Sequence, residues 1–551
     1  MNPTQYATVL RELFAETLGR PDVGDDDSFF ELGGDSLAAM RLVTRARTVP
    51  GLALTVRTLF RNPTVAGLTR ALAGDAPADR AASRPTALGA GAVTARPERP
   101  PLSYAQEGLW YLALLQGPAP TYNVPVSVRL TGAVDTAALR AALGDVVARH
   151  EALRTVFPEV KGVPYQKVLP VDEAKPELRT VSCGAEELPA ALAEAAQDVF
   201  DIMTEPPVRA TLFTDDARPT EHTLLILLHH IVGDGWSVGP LTRDLADAYT
   251  ARLAGSAPEA SPLPVQYADF GLWQRETLGD ERDPAGLLAS HGAYWRRALA
   301  GLPDVLDLPL DRPRPAVASH RGAAVDITLD PAFCEDLKKL AQETGTTVFM
   351  ILQAALAATL TAAGAGEDIP VGAPVSGRTE PAVEELVGYF VNMLVLRTDT
   401  SGNPSFRALL ERVRASSLEA YAHQDIPFDR LVGALNPRRT PAHHPLFQVA
   451  LAYGGGAQRH VDMPGLRGTT GQVSMPVAKF DLGLHLDEVT APDGTPQGIR
   501  GELKYATDLF DPGTAEALAA RWTALLHRAV RTPDAPILSL EATAGAAAPT
   551  P

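Results

Sequence analysis

Cysteine is nearly absent from this chain, because only Cys183 and Cys334 occur among its 551 residues. Two cysteines cannot build a disulfide framework or a cysteine-rich metal cluster, so neither is predicted. This scarcity is typical of proteins from a reducing cytoplasm. We therefore expect both thiols to be inert, and we predict no metal site.

Positive charge is also scarce. The chain carries 49 Lys and Arg residues against 66 Asp and Glu residues, a formal net charge of −17. Nucleic-acid binding requires a basic footprint, so DNA and RNA are excluded as main partners. No run of about 18 uncharged apolar residues occurs, and the amphipathic, charged N-terminus is not a signal peptide. We expect a cytoplasmic protein with no membrane partner.

Apolar residues make up 45% of the chain, which is enough for several packed domains. Near the N-terminus they recur at helical spacing, and a second helical pattern starts near Ser36 after a turn-rich stretch. From about residue 100 onward, strand and helix patterns alternate. Residues 223–230 form a continuous apolar run, typical of a buried strand, and a tight loop and a helix follow. The pattern predicts an all-α domain followed by α/β structure.

Composition divides the chain further. Ala, Gly, Pro and Arg dominate the stretch just before residue 99, and this composition indicates a linker. A Pro-rich passage near 280–320 separates two α/β portions. The predicted units are a helical domain at 1–75, a linker at 76–98, a first lobe at 99–275, a second lobe at 276–540 and a tail at 541–551.

The first motif, residues 27–37, reads DSFFELGGDSL. Two glycines allow a tight turn, and Ser36 then opens a helix whose free N–H groups favour a phosphodiester. An Asp/Ser helix cap would account for the same local pattern. The wider segment resembles the modification site of peptidyl carrier proteins. That resemblance implies a four-helix bundle in which Ser36 carries 4′-phosphopantetheine.

The second motif, residues 229–235, reads HHIVGDG. Two histidines end the predicted buried strand, and an Asp-Gly pair follows in the loop. A histidine suits proton transfer because its pKa of about 6.5 lies near working pH. A pair of capped core histidines is the alternative from the residues alone.

This second motif resembles the HHxxxDG signature of condensation domains of nonribosomal peptide synthetases. Five further segments resemble family motifs in the family's order: residues 103–110, 149–155, 267–270, 387–392 and 423–428. The resemblance covers about residues 99–540. It implies two chloramphenicol-acetyltransferase-like lobes with a tunnel between them, in which an acceptor amine attacks a donor thioester and forms an amide bond.

The resemblance also assigns roles. His230 would act in the tunnel, as a base or by positioning the amine, whereas His229 would be mainly structural. Asp234 would brace the loop through an ion pair with either Arg378 or Arg154, and Gly235 would let the backbone approach the thioester. The implied partners are an upstream adenylation domain, a downstream acceptor carrier, a phosphopantetheinyl transferase and aminoacyl or peptidyl thioesters.

One position departs from the family pattern. The first family motif usually has Arg where this chain has Gly108, so we expect altered access to the tunnel there. Two other functions stay open at this point, an epimerization-type domain with the same HHxxxDG signature and a non-catalytic docking module. A heterocyclization domain is disfavoured, because its paired-Asp motif does not replace His229 and His230.

Overall fold

The computed structural model describes residues 1–34, 36–46, 49–74, 88, 95–280, 283–284, 286–454, 460–471, 473–491 and 495–540. The predicted tail at 541–551 and most of the predicted linker at 76–98 lie outside the described residues. At the end of that linker, Arg96 forms ion pairs with Glu151 and Asp269, at 2.5 and 2.6 Å. These pairs join the linker's last residues to the first lobe.

Helices and strands follow one another along the whole described chain. The helices are α1 Pro3–Leu18, α2 Ser36–Ala46, α3 Val56–Arg61, α4 Val65–Gly74, α5 Tyr104–Gln116, α6 Thr136–Arg149, α7 Leu188–Ala195, α8 Val238–Leu253, α9 Tyr267–Leu278, α10 Leu287–Ala298, α11 Pro331–Thr344, α12 Val348–Ala362, α13 Phe406–Ala422, α14 Phe428–Leu435 and α15 Pro512–Arg531. The strands are β1 Asn123–Gly132, β2 Thr155–Val156, β3 Glu159–Val160, β4 Val163–Pro164, β5 Lys167–Val168, β6 Leu178–Ser182, β7 Val208–Thr214, β8 Glu221–His229, β9 Gly322–Leu329, β10 Asp368–Val375, β11 Asn392–Asp399, β12 Val449–Tyr453, β13 His460–Met463, β14 Leu466–Gly471, β15 Leu482–Thr490 and β16 Pro496–Ala506.

The N-terminal domain contains α1 to α4. A capping box starts α1, because the side chain of Asn2 accepts from the backbone of Gln5 while the Gln5 side chain accepts from the Asn2 backbone. Gly19 ends the helix in the left-handed region, with φ of 65°. The short helix α3 had no distinct apolar pattern in the sequence. It begins at the cap residue Thr55 and buries one face against its neighbours.

The first lobe is built on a six-stranded sheet with the strand order β13-β14-β1-β8-β7-β6. The strand β8 lies next to β1 in antiparallel register, and almost all of its side chains are buried. This burial explains the unbroken apolar run in the sequence, since both faces of the strand are covered.

The second lobe has its own six-stranded sheet, with the order β11-β10-β12-β15-β16-β9. The helix α12 is apolar on nearly all sides and is buried against this sheet. A fully buried helix of this kind anchors the lobe's core.

The predicted boundary between the lobes at residues 275/276 needs a correction. Although β13 and β14 come late in the chain, they complete the first sheet, and Ser127 to Gly132 of β1 pair with β14. A second excursion, residues 376–391, places Val383 and Leu386 in the core of the first lobe. Composition could not reveal this exchange, because strand pairing across hundreds of residues is a tertiary interaction.

Among the described residues, no single helix is both long and apolar enough to cross a membrane. The pair α11 and α12 passes that test only when taken together, and it is bent by 97°.

Candidate active site

The two histidines lie where β8 ends. His229 is the last residue of the strand, and His230–Val232 form a short 3-10 turn. The buried Nδ1 of His229 accepts a hydrogen bond from the backbone N–H of Ile231 at 3.1 Å. Burial, followed by the positive charge of Lys479, lowers the pKa of His229 to about 4. His229 is therefore a neutral residue that caps the turn.

His230 has a different environment. It keeps partial solvent exposure, and its ring packs edge-on against Tyr389 with centroids 4.8 Å apart. Burial, then the charges of Lys479 and His229, hold the pKa of His230 well below its usual range. Within the described part of the chain, no group makes a hydrogen bond to its Nδ1. Packing therefore orients this ring, which is neutral at working pH.

Asp234 is buried and its carboxylate is fully occupied. Its Oδ1 accepts from the backbone N–H of Ser237 at 3.0 Å and from the Ser237 hydroxyl at 2.9 Å. Its Oδ2 accepts from the backbone N–H groups of Phe390 and Val391 at 2.9 and 3.2 Å. The Arg378 guanidinium donates to both oxygens at 3.0 Å. A carboxylate with this many donors joins structural elements and has no free position for a proton or a substrate.

Of the two arginines considered for Asp234, Arg378 makes the contact. Its other terminal nitrogen donates to the Ser237 hydroxyl at 3.1 Å and to the Leu386 carbonyl at 3.0 Å. Arg154 points elsewhere, because it lies 3.6 Å from Glu151 and donates to a backbone carbonyl of its own lobe. Asp234 belongs to the first lobe and Arg378 to the excursion from the second, so their ion pair joins the two lobes beside His230.

Further side chains near His230 are enclosed by protein and still reach solvent. Burial raises the pKa of Tyr122 to about 12 and lowers the pKa of Lys479 to about 8, and it raises the pKa of Asp429 to about 6. Tyr122 and Lys479 nevertheless keep partial exposure, and Asp429 is exposed. Tyr122 directly precedes Asn123, which pairs with His229, and Lys479 packs on the Tyr122 ring, so both residues lie at the His230 end of β1 and β8. Sequence reasoning missed these three residues as site residues, because none belongs to a motif that carries chemistry by spacing.

A cleft lies between the lobes, and its walls include Ala105, Trp273, Phe390 and Asp425. His230 is not among its lining residues. Tyr389 packs on His230 whereas Phe390 lines this cleft, so consecutive residues of the excursion have different neighbours.

Gly108 lies on α5 opposite the first turn of α14. A Cβ atom at this position would lie 2.1 Å from Oδ2 of Asp429, so any side chain would displace that carboxylate. Gly235 starts the 3-10 turn Gly235–Ser237, and it is not among the residues with positive φ. A side chain at Gly108 therefore requires the Asp429 carboxylate to move, whereas backbone conformation does not require glycine at Gly235.

Residues 98–547 match the family model described as Condensation domain, and this match covers most of the chain. The chain belongs to the condensation-domain family. Residues 8–72 match a second model, described as Phosphopantetheine attachment site. The N-terminal domain of this condensation protein is therefore an attachment domain for 4′-phosphopantetheine.

Relatives of known type support both assignments. A probable nonribosomal peptide synthetase, CymA, of Salinispora arenicola (strain CNS-205) is 51% identical over 531 residues, which are 96% of this chain and 7% of that protein. The dimodular nonribosomal peptide synthase of Bacillus subtilis (strain 168) is 50% identical over 538 residues, which are 98% of this chain and 22% of that protein. The chain thus spans less than a quarter of either relative.

A solved structure supports the fold of the condensation domain. The X-domain in the complex of the X-domain and OxyB from teicoplanin biosynthesis is 36% identical, with a TM-score of 0.73 over 83% of this chain and 99% of that chain. The two-lobed architecture of the condensation domain is therefore shared with a solved relative.

The attachment site fits its cofactor by local geometry. Ser36 is the first residue of α2, and no acidic residue lies in the first turn of that helix. Gly33 before it has φ of 99°, and a Cβ atom on Gly34 would lie 2.3 Å from the Phe29 ring. The two glycines thus fold the chain tightly onto Phe29 and lead it into the helix. The N–H groups of a helix N-terminus suit the anionic phosphodiester of the cofactor.

The attachment domain contacts the second lobe of the condensation domain. Arg45 of α2 lies 3.0 Å from Glu384, and Arg57 of α3 forms an ion pair with Glu419 of α13. Arg414 of α13 donates to the Phe60 carbonyl at 3.1 Å. The interface therefore pairs two basic side chains of the attachment domain with two acidic side chains of the condensation domain.

Proposed function

We propose that this chain acts in nonribosomal peptide synthesis and forms an amide bond between an acyl thioester and an amine. The observation that carries this proposal is the neutral, partly exposed imidazole of His230, which packs on Tyr389 of the excursion from the second lobe. The Asp234–Arg378 pair, which joins the two lobes, lies beside it. Such a site can hold two reactants in position, and positioning alone supplies a large part of the acceleration of a bimolecular reaction.

The amide-forming step places specific demands on His230. The C–N bond forms as the amine attacks the carbonyl carbon, the C–S bond breaks with its electron pair on sulfur, and the proton from nitrogen ends on sulfur. A neutral imidazole can accept a hydrogen bond from the attacking amine. Because its pKa lies well below the usual range, His230 is a weak proton acceptor, which favours positioning of the amine over full proton removal.

Asp234, Arg378 and Gly235 have supporting roles in this proposal. Asp234 and Arg378 hold the loop that follows His230 against the second lobe. The backbone at Gly235 would lie next to the reacting thioester and could donate to the developing oxyanion.

The donor arm would come from the attachment domain of the same chain, which we take to be a four-helix carrier bundle. Ser36 would hold 4′-phosphopantetheine, which would supply the thioester. The paired charges at Arg45 and Arg57 support delivery within the chain, because they hold this domain on the second lobe. The partners would be an upstream adenylation domain, a downstream acceptor carrier and a phosphopantetheinyl transferase, all in the cytoplasm.

The test of this function is amide formation by the loaded chain. A phosphopantetheinyl transferase and an aminoacyl coenzyme A would load the chain, and an aminoacyl-N-acetylcysteamine would serve as acceptor. We expect intact-protein mass spectrometry to show loss of the donor mass from the chain, and product analysis to show the dipeptide. Ser36→Ala is the matched control, which should neither gain the cofactor mass nor form dipeptide from coenzyme A-supplied donor.

The same reaction run in deuterated water separates condensation from epimerization. An epimerization-type domain would exchange the α-hydrogen of the loaded residue and release no dipeptide. We expect dipeptide without that exchange, and exchange without dipeptide would assign the chain to the rival activity.

A docking module is the second candidate, and the likeness to the X-domain solved with OxyB favours it. Such a module would bind a partner protein through the same fold without turnover. The loaded chain would then retain its donor indefinitely in the presence of acceptor, which the same mass measurement detects.

Gly108 is proposed to widen access to the reaction site. In Gly108→Arg, the new side chain would displace the Asp429 carboxylate and pair with it, which fills space between α5 and α14. We expect the KM for the N-acetylcysteamine acceptor to rise several-fold. Gly144→Arg on α6 is the control, because no atom outside its own helix lies within 4 Å of a Cβ there. If Gly108→Arg and the unmodified chain have identical kinetics, Gly108 does not control access to the reaction site.

A further inference from the structure

Lys479 lies on the segment that carries the chain from the first sheet back to the second. This segment, residues 473–481, follows β14 and precedes β15. Its backbone is held by hydrogen bonds to residues at and just before the start of β9. The Gly322 N–H donates to the Pro476 carbonyl at 3.0 Å, and the Ala478 N–H donates to the His320 carbonyl at 2.9 Å. Lys479 therefore extends from a rigid crossing point between the lobes.

The ammonium of Lys479 has no carboxylate partner within ion-pair distance among the described residues. Its Nζ lies 5.1 Å from the centre of the Tyr122 ring, a cation–π contact. Burial, followed by the charge of Lys504, lowers the pKa of Lys479 to about 8. Burying a charge without an opposite charge nearby lowers the stability of the fold. A lysine at this position therefore does not serve stability.

The strand register places Lys479 at the reaction site. Asn123 of β1 pairs with His229 of β8 in antiparallel register, so Tyr122 and His230 lie at the same end of this strand pair. Lys479 packs on Tyr122, and its charge lowers the pKa of both His229 and His230. One cation thus lies at the same end of the strand pair as the neutral imidazole.

The geometry points to Lys479 as a second catalytic side chain, whose ammonium contacts the thioester group and stabilises the negative charge that the amine's attack creates there. This inference rests on the proposed amide-forming function and names the residue that meets the acyl donor. His230 holds the nitrogen of the attacking amine. Lys479 contacts the thioester carbonyl oxygen, on which the negative charge develops. Placing a fixed charge where charge develops is an effective means of lowering a barrier in a water-poor site.

The step balances without any change in Lys479. Nitrogen attacks the carbonyl carbon, and negative charge develops on the carbonyl oxygen and then on the sulfur that takes the electron pair of the broken C–S bond. The proton lost by nitrogen ends on that sulfur, so the products are a neutral amide and a neutral thiol. Lys479 remains an ammonium before and after the step.

Ionisable groups around Lys479 set the expected pH dependence. Those facing it are Tyr122 before β1, His229 and His230 at the end of β8, His485 on β15 and Lys504 on β16. Because none of these groups is a carboxylate, none counters its positive charge. The active form of Lys479 is the ammonium, so its contribution is present below its pKa of about 8 and is lost as the pH rises through that value.

The first test needs neither cofactor nor turnover. Carbon-13 NMR of labelled histidines follows His230 in the unloaded chain from about pH 9 down to the lowest pH at which the chain stays folded, with its signal assigned by its loss in His230→Ala. In Lys479→Met we expect the His230 titration midpoint to rise, because a neighbouring positive charge is removed while the burial remains. Lys479→Arg keeps the charge and should keep the midpoint low. Lys338→Met, which removes an exposed lysine of α11, should leave it unchanged.

The second test measures the reaction with small substrates. The unloaded chain is mixed with an acyl-N-acetylcysteamine donor and an aminoacyl-N-acetylcysteamine acceptor. We expect Lys479→Met to form amide about 10²-fold more slowly, and to lack the fall in rate above about pH 8 that the unmodified chain shows. Lys479→Arg should retain most of the rate and shift this fall to higher pH.

The outcomes separate the two proposals. An unmodified chain that forms no amide from these substrates or when loaded refutes the proposed function. An unmodified chain that forms amide, together with a Lys479→Met variant of equal rate and unchanged His230 titration, refutes the role of Lys479 alone. A variant that loses rate but shows the same His230 midpoint as the unmodified chain also overturns it, because the lysine would then be too far from the site.

Discussion

His230→Ala is expected to lower the rate of amide formation by about 10²–10⁴-fold while leaving the fold intact. His230 is partly exposed, and no hydrogen bond to its Nδ1 within the described part of the chain would be broken by its removal. The lost function is a hydrogen-bond acceptor for the attacking amine. Single-turnover assays with the loaded chain and an N-acetylcysteamine acceptor measure this rate directly.

The matched control is His460→Ala, which removes an exposed histidine of β13 in the same sheet. We expect this variant to react at the unmodified rate. Circular dichroism and loading of Ser36 would verify that both variants are folded. If His230→Ala condenses as fast as the unmodified chain, the imidazole has no part in the reaction.

Arg378→Ala is expected to destabilise the condensation domain by about 3–5 kcal/mol, because it leaves the Asp234 carboxylate buried without its cationic partner. The side chains of Arg378 and Asp234 are only 6% and 1% exposed, so water cannot replace the lost interaction. All five tryptophans of the chain lie beyond residue 98, so intrinsic fluorescence in a urea titration reports the unfolding of this domain.

Two further variants test whether the loss of stability is due to the buried ion pair. Arg407→Ala removes an Arg–Asp pair of similar length, 2.9 Å, at the surface, where the loss should be at most about 1 kcal/mol. Asp234→Asn combined with Arg378→Met removes both charges, and it should regain part of the stability lost in Arg378→Ala. Equal stability of Arg378→Ala and Arg407→Ala would show that the pair between the lobes is no stronger than a surface pair.

The local elements that carry the motifs were predictable from the residues. The apolar run at 223–230 predicted a buried strand, and β8 spans Glu221–His229. The second helical pattern, expected to start near Ser36, is α2, which begins at Ser36. Both patterns are local, because backbone hydrogen bonding and the burial of alternate or successive side chains repeat over a few residues. Motif order along the chain indicated the condensation family before any contact was known.

The choice between Arg378 and Arg154 illustrates what local pattern leaves open. Both are arginines in family-like segments, and Arg154 is closer to Asp234 in sequence. The fold brings Arg378 to Asp234 because residues 376–391 leave the second lobe and pack into the core of the first. Only the packing of that excursion distinguishes the two candidates.

The amino-acid sequence by itself determined the order of the domains, the serine at a helix start and the histidine pair at a strand end. Each of these features depends on the residues of one short segment. The tertiary structure alone decided which strands complete the first sheet, which arginine meets Asp234, and that Lys479 packs on Tyr122 at the His230 end of the strand pair. These decisions depend on segments that are hundreds of residues apart, and only long-range packing and strand pairing bring such segments together.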